Sequence, residues 1–212
     1  MRLLLVRHGE TDSNVEGRSQ GRRDVPLNDH GRQQAAAVGE WLRSADPVAV
    51  YASPSQRAQD TAGAIAAACG LAVSTDERLA ELDQGDLDGL TPPEMRERDP
   101  EFLRRWMSED PAKLTMPGGE SLGDSRRRML AAARDIVAAH SGGQAGSTDV
   151  AVVAVSHNLA LKSLLCEMLG VPLASFRGFR IDVASVSTID VLDDGTFLVV
   201  NLNERCHIDR PD

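Results

Sequence analysis

Residues 3–6, 48–51 and 150–155 are short runs of Leu, Val, Ala and Tyr, and they constrain the fold more than any other feature of the chain. None alternates apolar with polar side chains, so each suits a strand covered on both faces, as in a parallel sheet. Polar residues and then a helical pattern come after each run. The first such pattern spans 28–42 and opens on Asn28-Asp29. The second spans 54–69, with Pro54 at the first helical position and Gly70 closing it. The third spans 159–169 and is closed by Gly170 and Pro172. Strand and helix in alternation imply an α/β fold.

The rest is less regular. A run at 72–74 suits an edge strand. Residues 91–118 hold five prolines around helical stretches at 94–98 and 101–107, and read as an insertion over the sheet. Leu122, Met129, Ile136 and Val137 predict a helix over 121–140. Residues 141–148 read as a Gly-rich flexible loop, and 185–202 as a hairpin turning at Asp193-Asp194-Gly195. With 212 residues, the chain is expected to form one domain, 1–212. Aromatic residues make up 3% of the chain and its net charge is -9. Stacking platforms are therefore scarce and a phosphate polymer is repelled, which argues against nucleic acid. The opening apolar run stops at Arg7-His8, too soon for a signal-peptide core or a membrane span. Cys69, Cys166 and Cys206 form no metal or redox motif, so reduced thiols and a cytoplasmic protein are expected.

The residues just after each strand carry the chemistry. The first run ends in Arg7-His8-Gly9-Glu10-Thr11, the second in Ser53-Pro54-Ser55-Gln56-Arg57, the third in Ser156-His157-Asn158. Ligands of an open parallel sheet gather outside the carboxyl ends of its strands, so two Arg and two His are expected to meet there. A phosphate monoester repels an anionic nucleophile, whereas a neutral imidazole attacks without that penalty. Two guanidiniums then neutralise the phosphoryl oxygens. For His8 to attack through one ring nitrogen, the other must donate its proton, as to a backbone carbonyl. His157 serves as a second donor to phosphate, Gly9 admits a close ligand, and a carboxylic acid must protonate the leaving alkoxide.

Arg7-His8-Gly9-Glu10-Thr11 with Asn14 shortly after resembles the signature of the histidine phosphatase superfamily, in its phosphoglycerate mutase-like branch. Gln20-Gly21, Asp24, Pro26-Leu27, Gly31, Gln34-Ala35, Ser53-Pro54, Arg57-Ala58, Thr61-Ala62, Gly118-Gly119-Glu120-Ser121 and Ser156-His157 come in the family's order over nearly the whole chain. The resemblance implies a three-layer α/β/α fold with a mostly parallel central sheet and a helical insertion near the active site. It also implies a phosphohistidine on His8 and a phosphate pocket completed by Arg7, Arg57 and His157. Asn14, Arg18, Gln20 and Gly21 are expected to touch substrate. The family's proton donor, four residues before a Gly, falls on Glu81, with Asp83 its nearest rival. Departures are Leu87 for a common Trp, Gln56 for an apolar or basic residue, and Asn158 for a frequent Gly. Gln56 and Asn158 bear on what the pocket admits, and Asn158 counts as a substrate contact.

The implied activity is hydrolysis of a small phosphorylated metabolite with release of inorganic phosphate, without metal or cofactor. A cofactor-dependent mutase uses the same phosphohistidine, but such relatives are usually longer. Metal-assisted hydrolysis with His8 and His157 as ligands is a different chemistry, and its spacing matches no zinc motif. A non-catalytic phosphate-binding protein is a third reading, and a His8→Ala protein that kept its cellular role would favour it. Elsewhere, His30 reads as an exposed helix residue, His140 as a last-turn residue, Arg126-Arg127-Arg128 as a solvated face and Arg104-Arg105 as surface. A homodimer through an edge strand or the insertion is left open, as is the identity of the leaving alcohol.

Overall fold

A computed structural model describes residues 1–140 and 150–208, so the loop expected at 141–148 lies outside the described residues. Strands β1 (Arg2–Arg7), β2 (Pro47–Ala52), β3 (Val73–Thr75) and β4 (Ala151–Ser156) are parallel. The hairpin of β5 (Val186–Val191) and β6 (Phe197–Glu204) joins them antiparallel to β1, giving the order β3-β2-β4-β1-β5-β6. Helices are α1 (Asp12–Val15), α2 (Asp29–Leu42), α3 (Gln56–Cys69), α4 (Pro92–Arg98), α5 (Pro100–Ser108), α6 (Leu122–His140) and α7 (Asn158–Met168).

The central strands show why the sequence carries unbroken apolar runs. Leu3 and Leu5 of β1 pack with Met129 and Ile136 of α6 and Leu161 and Leu164 of α7. Leu4 and Val6 point the other way, onto Val38 and Leu42 of α2 and Ala62 and Ile65 of α3. Both pleat faces are covered, so alternation has no place. This is the expected three-layer α/β/α arrangement. β2 departs from it at Val48, which is half exposed where the strand enters the sheet. A third apolar cluster joins Phe102, Leu114 and Met116 of the insertion to Leu82, Leu122 and Cys166, rooting α4 and α5 beside the sheet.

Element ends fall within about two residues of expectation, and the two-residue shift at the N-terminus of α3 is informative. Pro54 precedes the helix rather than opening it, and Ser55 is the N-cap with an extended backbone. The Ser55 hydroxyl caps nothing locally. Instead Gln56 N–H donates to Asp24 Oδ1 at 2.7 Å, a cap supplied from thirty-two residues away. By contrast, α2 takes the local cap the sequence announces, with Gly31 N–H donating to Asn28 Oδ1 at 2.8 Å.

Gly9 has a different role from the one its sequence suggests. A Cβ there would lie 2.5 Å from the carbonyl oxygen of Gly31, and a Cβ on Gly31 would lie 2.0 Å from the carbonyl oxygen of Glu10. The first turn of α2 thus rests directly on the backbone beyond the end of β1. Gly31→Ala is expected to cost about 3 kcal/mol or more, because backbone must move to admit the methyl. Gly63→Ala, in α3 with nothing within 4 Å, is expected to gain about 0.5–1 kcal/mol. Urea midpoints of the two variants check both signs.

Candidate active site

The carboxyl ends of β1 and β4 lie side by side, and His8 and His157 leave them with ring centroids 5.1 Å apart. His8 Nδ1 lies 2.7 Å from the carbonyl oxygen of Gly9, the contact expected of an imidazole that keeps its proton there and presents Nε2. Gly9 is held in turn, its N–H donating to Thr61 Oγ1 of α3 at 3.1 Å. The His157 backbone caps α7, while its ring Nε2 meets Ser53 Oγ at 2.7 Å and Ser55 Oγ at 3.3 Å.

Both arginines are anchored by backbone carbonyls rather than by carboxylates. Arg57, fully buried, donates Nη1 to the carbonyl of Arg23 at 2.8 Å and Nη2 to those of Gln20 and Gly21 at 3.3 and 3.1 Å. Arg7 donates Nη1 to the carbonyl of Ile181 at 2.7 Å. Among the described residues Arg7 Nε, Arg57 Nε and His157 Nδ1 are buried without a hydrogen-bond partner. Their charges are felt together, since Arg7 and Arg57 both push the imidazoles of His8 and His157 down.

Glu81 sits at the amino end of α7. Its Oε1 accepts from Leu82 N–H at 2.8 Å and Ala160 N–H at 2.9 Å, and its Oε2 from Leu159 N–H at 3.1 Å. With only one of these donors, Oε2 has capacity left for a ligand. Asp83, its rival, accepts Gly85 N–H at 2.9 Å within its own turn. A cleft of about 220 Å³ opens onto Glu81 and His157, walled by Gly21, Arg22, Asp24, Ser53, Pro54, Ser55 and Ala80.

The remaining expected contacts divide. Gly21 walls the cleft, and Gln20 lies nearly buried beneath it, accepting from Thr11 Oγ1 at 2.8 Å. Asn14 completes a capping box with Thr11 at the start of α1, and Asn158 is the first residue of α7, beside His157. Arg18 is engaged elsewhere. It donates to Glu94 at 2.8 Å and to the carbonyl of Gly89 at 3.0 Å, because Glu94 is already fixed in the capping box of α4. Its head ties the loop after α1 to the insertion.

The model of the histidine phosphatase superfamily (branch 1) matches residues 3–205. The chain belongs to this superfamily. It is 34% identical to phosphoserine phosphatase 1 of Hydrogenobacter thermophilus, over 98% of this chain and 94% of that one. It is also 34% identical to the probable phosphoglycerate mutase GpmB of Salmonella paratyphi C, over 100% and 96% of the two chains. Mycobacterial relatives 38% identical to it are longer, and the chain spans 55% of their length. Among solved structures, mycobacterial glucosyl-3-phosphoglycerate phosphatase Rv2419c superposes with a TM-score of 0.86 at 32% identity, covering 96% of this chain and 99% of that one.

Several residues of this histidine phosphatase have roles that the sequence did not assign. Ser53 and Ser55 support His157, and Thr61 supports Gly9. Ser53 and Thr61 stood only as matches to the family's order, and Ser55 carried no signal beyond its place just after β2. Arg128 is no part of a solvated face. It is largely buried and donates to the carbonyls of Arg78, Ala80 and Glu81. His207 is buried as well, stacked on Trp41 with Nε2 2.8 Å from the carbonyl of Ala184. His30 and the Arg104-Arg105 pair are exposed, as expected. Among the described residues no helix is long and apolar enough to cross a membrane, and no three His, Cys, Asp or Glu side chains are grouped to hold a metal ion.

Burial dominates the electrostatics. It pushes Arg7 down to about 10, with Glu81 and Asp182 pulling the other way. Burial, then Arg7 and Arg57, hold the His8 imidazole well below its ordinary range, and burial with Arg57 does the same to His157. Both rings are therefore neutral in the folded free protein at neutral pH and exchange that state for ordinary imidazoles on unfolding. Below about pH 6.5 the unfolded chain binds more protons, so stability falls as pH drops, by at most about 1.4 kcal/mol per pH unit for each ring. Unfolding midpoints between pH 7.5 and 5 should show this slope, and His8→Gln with His157→Gln should flatten it.

Proposed function

We propose that the protein hydrolyses a small phosphomonoester through a phosphohistidine on His8, with Glu81 as proton donor. One observation carries the reading. Three buried nitrogens, Arg7 Nε, Arg57 Nε and His157 Nδ1, stand without partners in the cluster that holds His8. A buried donor left unsatisfied is costly, and two guanidiniums without a carboxylate of their own are costlier. A phosphoryl group supplies the missing acceptors and the missing negative charge. The phosphatase names of the relatives support hydrolysis.

In the first half-reaction the lone pair on His8 Nε2 forms a bond to phosphorus as the ester P–O bond breaks. The Nδ1–H bond to the Gly9 carbonyl stabilises the cation that forms on the ring. Arg7, Arg57 and the Nδ1–H of His157 meet the three peripheral oxygens, and Glu81 gives its proton to the departing alkoxide. In the second half, water attacks phosphorus, its proton passes to the Glu81 carboxylate, and the P–N electrons return to His8. Phosphate leaves and the protein is restored.

The cleft beyond Glu81 and His157 suits a small, polar alcohol, because Arg22, Asp24 and Ser55 wall it and its volume is about 220 Å³. Arg22 and Asp24 on the wall of the cleft are exposed, so the cleft beside Glu81 and His157 is open to solvent, which supports hydrolysis over the mutase transfer that GpmB's name suggests. Rapid acid-free quenching with labelled substrate should leave label on His8, and His8→Ala should lose at least about 10³-fold in kcat/KM. Phosphate should appear without any bisphosphorylated primer. Interconversion of 2- and 3-phosphoglycerate that depends on such a primer, without net phosphate release, would overturn hydrolysis. A panel of phosphomonoesters ranked by kcat/KM would then name the alcohol.

A further inference from the structure

We propose that Arg128, acting with Glu120, is the positioning residue that holds Glu81 at the leaving oxygen. The inference rests on the reading of Glu81 as proton donor. Glu81 lies on irregular backbone between the 3₁₀ turns Glu77–Leu79 and Gly85–Leu87, so neither a strand ladder nor a helix fixes its main chain. Arg128 of α6 does so instead. Nη1 donates to the carbonyls of Arg78 at 2.8 Å and Ala80 at 2.6 Å, and Nη2 to that of Glu81 at 3.1 Å.

The other side of the segment is gripped by Glu120. Its Oε1 accepts Asp83 N–H at 3.0 Å, and its own N–H donates to the Asp83 carbonyl at 3.0 Å. Arg128 and Glu120 are paired to each other, with side chains 16% and 18% exposed. Backbone atoms on both sides of Glu81 are thereby tied to one ion pair. Only a planar guanidinium presents donors to several carbonyls and a carboxylate at once. The arrangement is a poor device for stability alone, since desolvating an ion pair consumes much of what it returns. It is a good one for geometry, because proton transfer depends on a fraction of an ångström at the acid. Arg128 exchanges no proton itself. Glu81 still gives its proton to the ester oxygen as the P–O bond breaks.

A leaving-group comparison separates positioning from general damage. The phenolate of p-nitrophenyl phosphate departs without a proton, whereas the alkoxide of O-phosphoserine or glycerol phosphate needs one. kcat/KM covers the steps up to release of the alcohol, so the ratio of alkyl to aryl ester reports the acid. Glu81→Gln should lower that ratio by about 10²-fold. Arg128→Gln should lower it by roughly 10- to 30-fold while kcat/KM for the aryl ester stays within about 3-fold, and Arg128→Lys should recover part of the loss. Should Arg128→Gln fail to fold, Arg128→Lys and Glu120→Gln carry the same comparison, with melting temperatures recorded for all. An equal loss on both esters, or an unchanged ratio in a folded Arg128 variant whose Glu81→Gln counterpart shows the drop, would reject positioning. An unchanged ratio in Glu81→Gln itself would remove the proton-donor reading, and this proposal with it.

Discussion

Among the described residues no carboxylate is bonded to the buried Arg57 or the half-buried Arg7, and the rest of the site is built around that fact. Arg57 is fully buried, and its hydrogen bonds go to the carbonyls of Gln20, Gly21 and Arg23. Arg7 leans on the carbonyl of Ile181. Carbonyls satisfy N–H groups and orient the side chain without cancelling its charge, so the positive field stays available to a ligand. A carboxylate at either position would have been more comfortable for the fold and would have closed the site to anions. Burial first, and that field after it, hold the His8 and His157 imidazoles well below their ordinary range. A neutral imidazole is the state a nucleophile needs.

Helix α7 organises the opposite wall by the same use of backbone groups. His157 is its N-cap residue, and the Leu159 and Ala160 N–H groups, which have no partners inside the helix, are directed at the Glu81 carboxylate. One helix terminus therefore sets the placement of the His157 imidazole and the Glu81 carboxylate relative to each other. β4 delivers that terminus next to the end of β1, with Arg7 level with Ser156 in the parallel register. The chemistry stands at the carboxyl edge of the sheet because parallel strands put all their exits there.

Much of this was legible along the chain, and the misses have identifiable causes. Apolar runs at β1, β2 and β4 marked the strands, and the Asn28 cap and Gly70 stop marked helix ends, because each rests on contacts within a few residues. The start of α3 was misplaced because its cap is Asp24, distant in sequence. Gly9 was read as room for a ligand, whereas its missing side chain is room for Gly31. Arg128 was read as solvated because three adjacent arginines look alike on paper. Only its place on α6, facing the carbonyls of Ala80 and Glu81, sets it apart from Arg127. Arg18 was credited to the pocket, but Glu94 of the insertion takes its head.

The sequence by itself determined the alternation of strands and helices, the family, and which imidazoles and guanidiniums converge. Those rest on periodicity and on residues placed just after strands, both local properties. Tertiary structure alone decided which polar atoms remain unpaired, which carboxylate meets the amino end of α7, and which arginine braces its loop. Satisfaction of a buried donor is a sum over every neighbour in space, and those neighbours come from segments that the linear order keeps far apart.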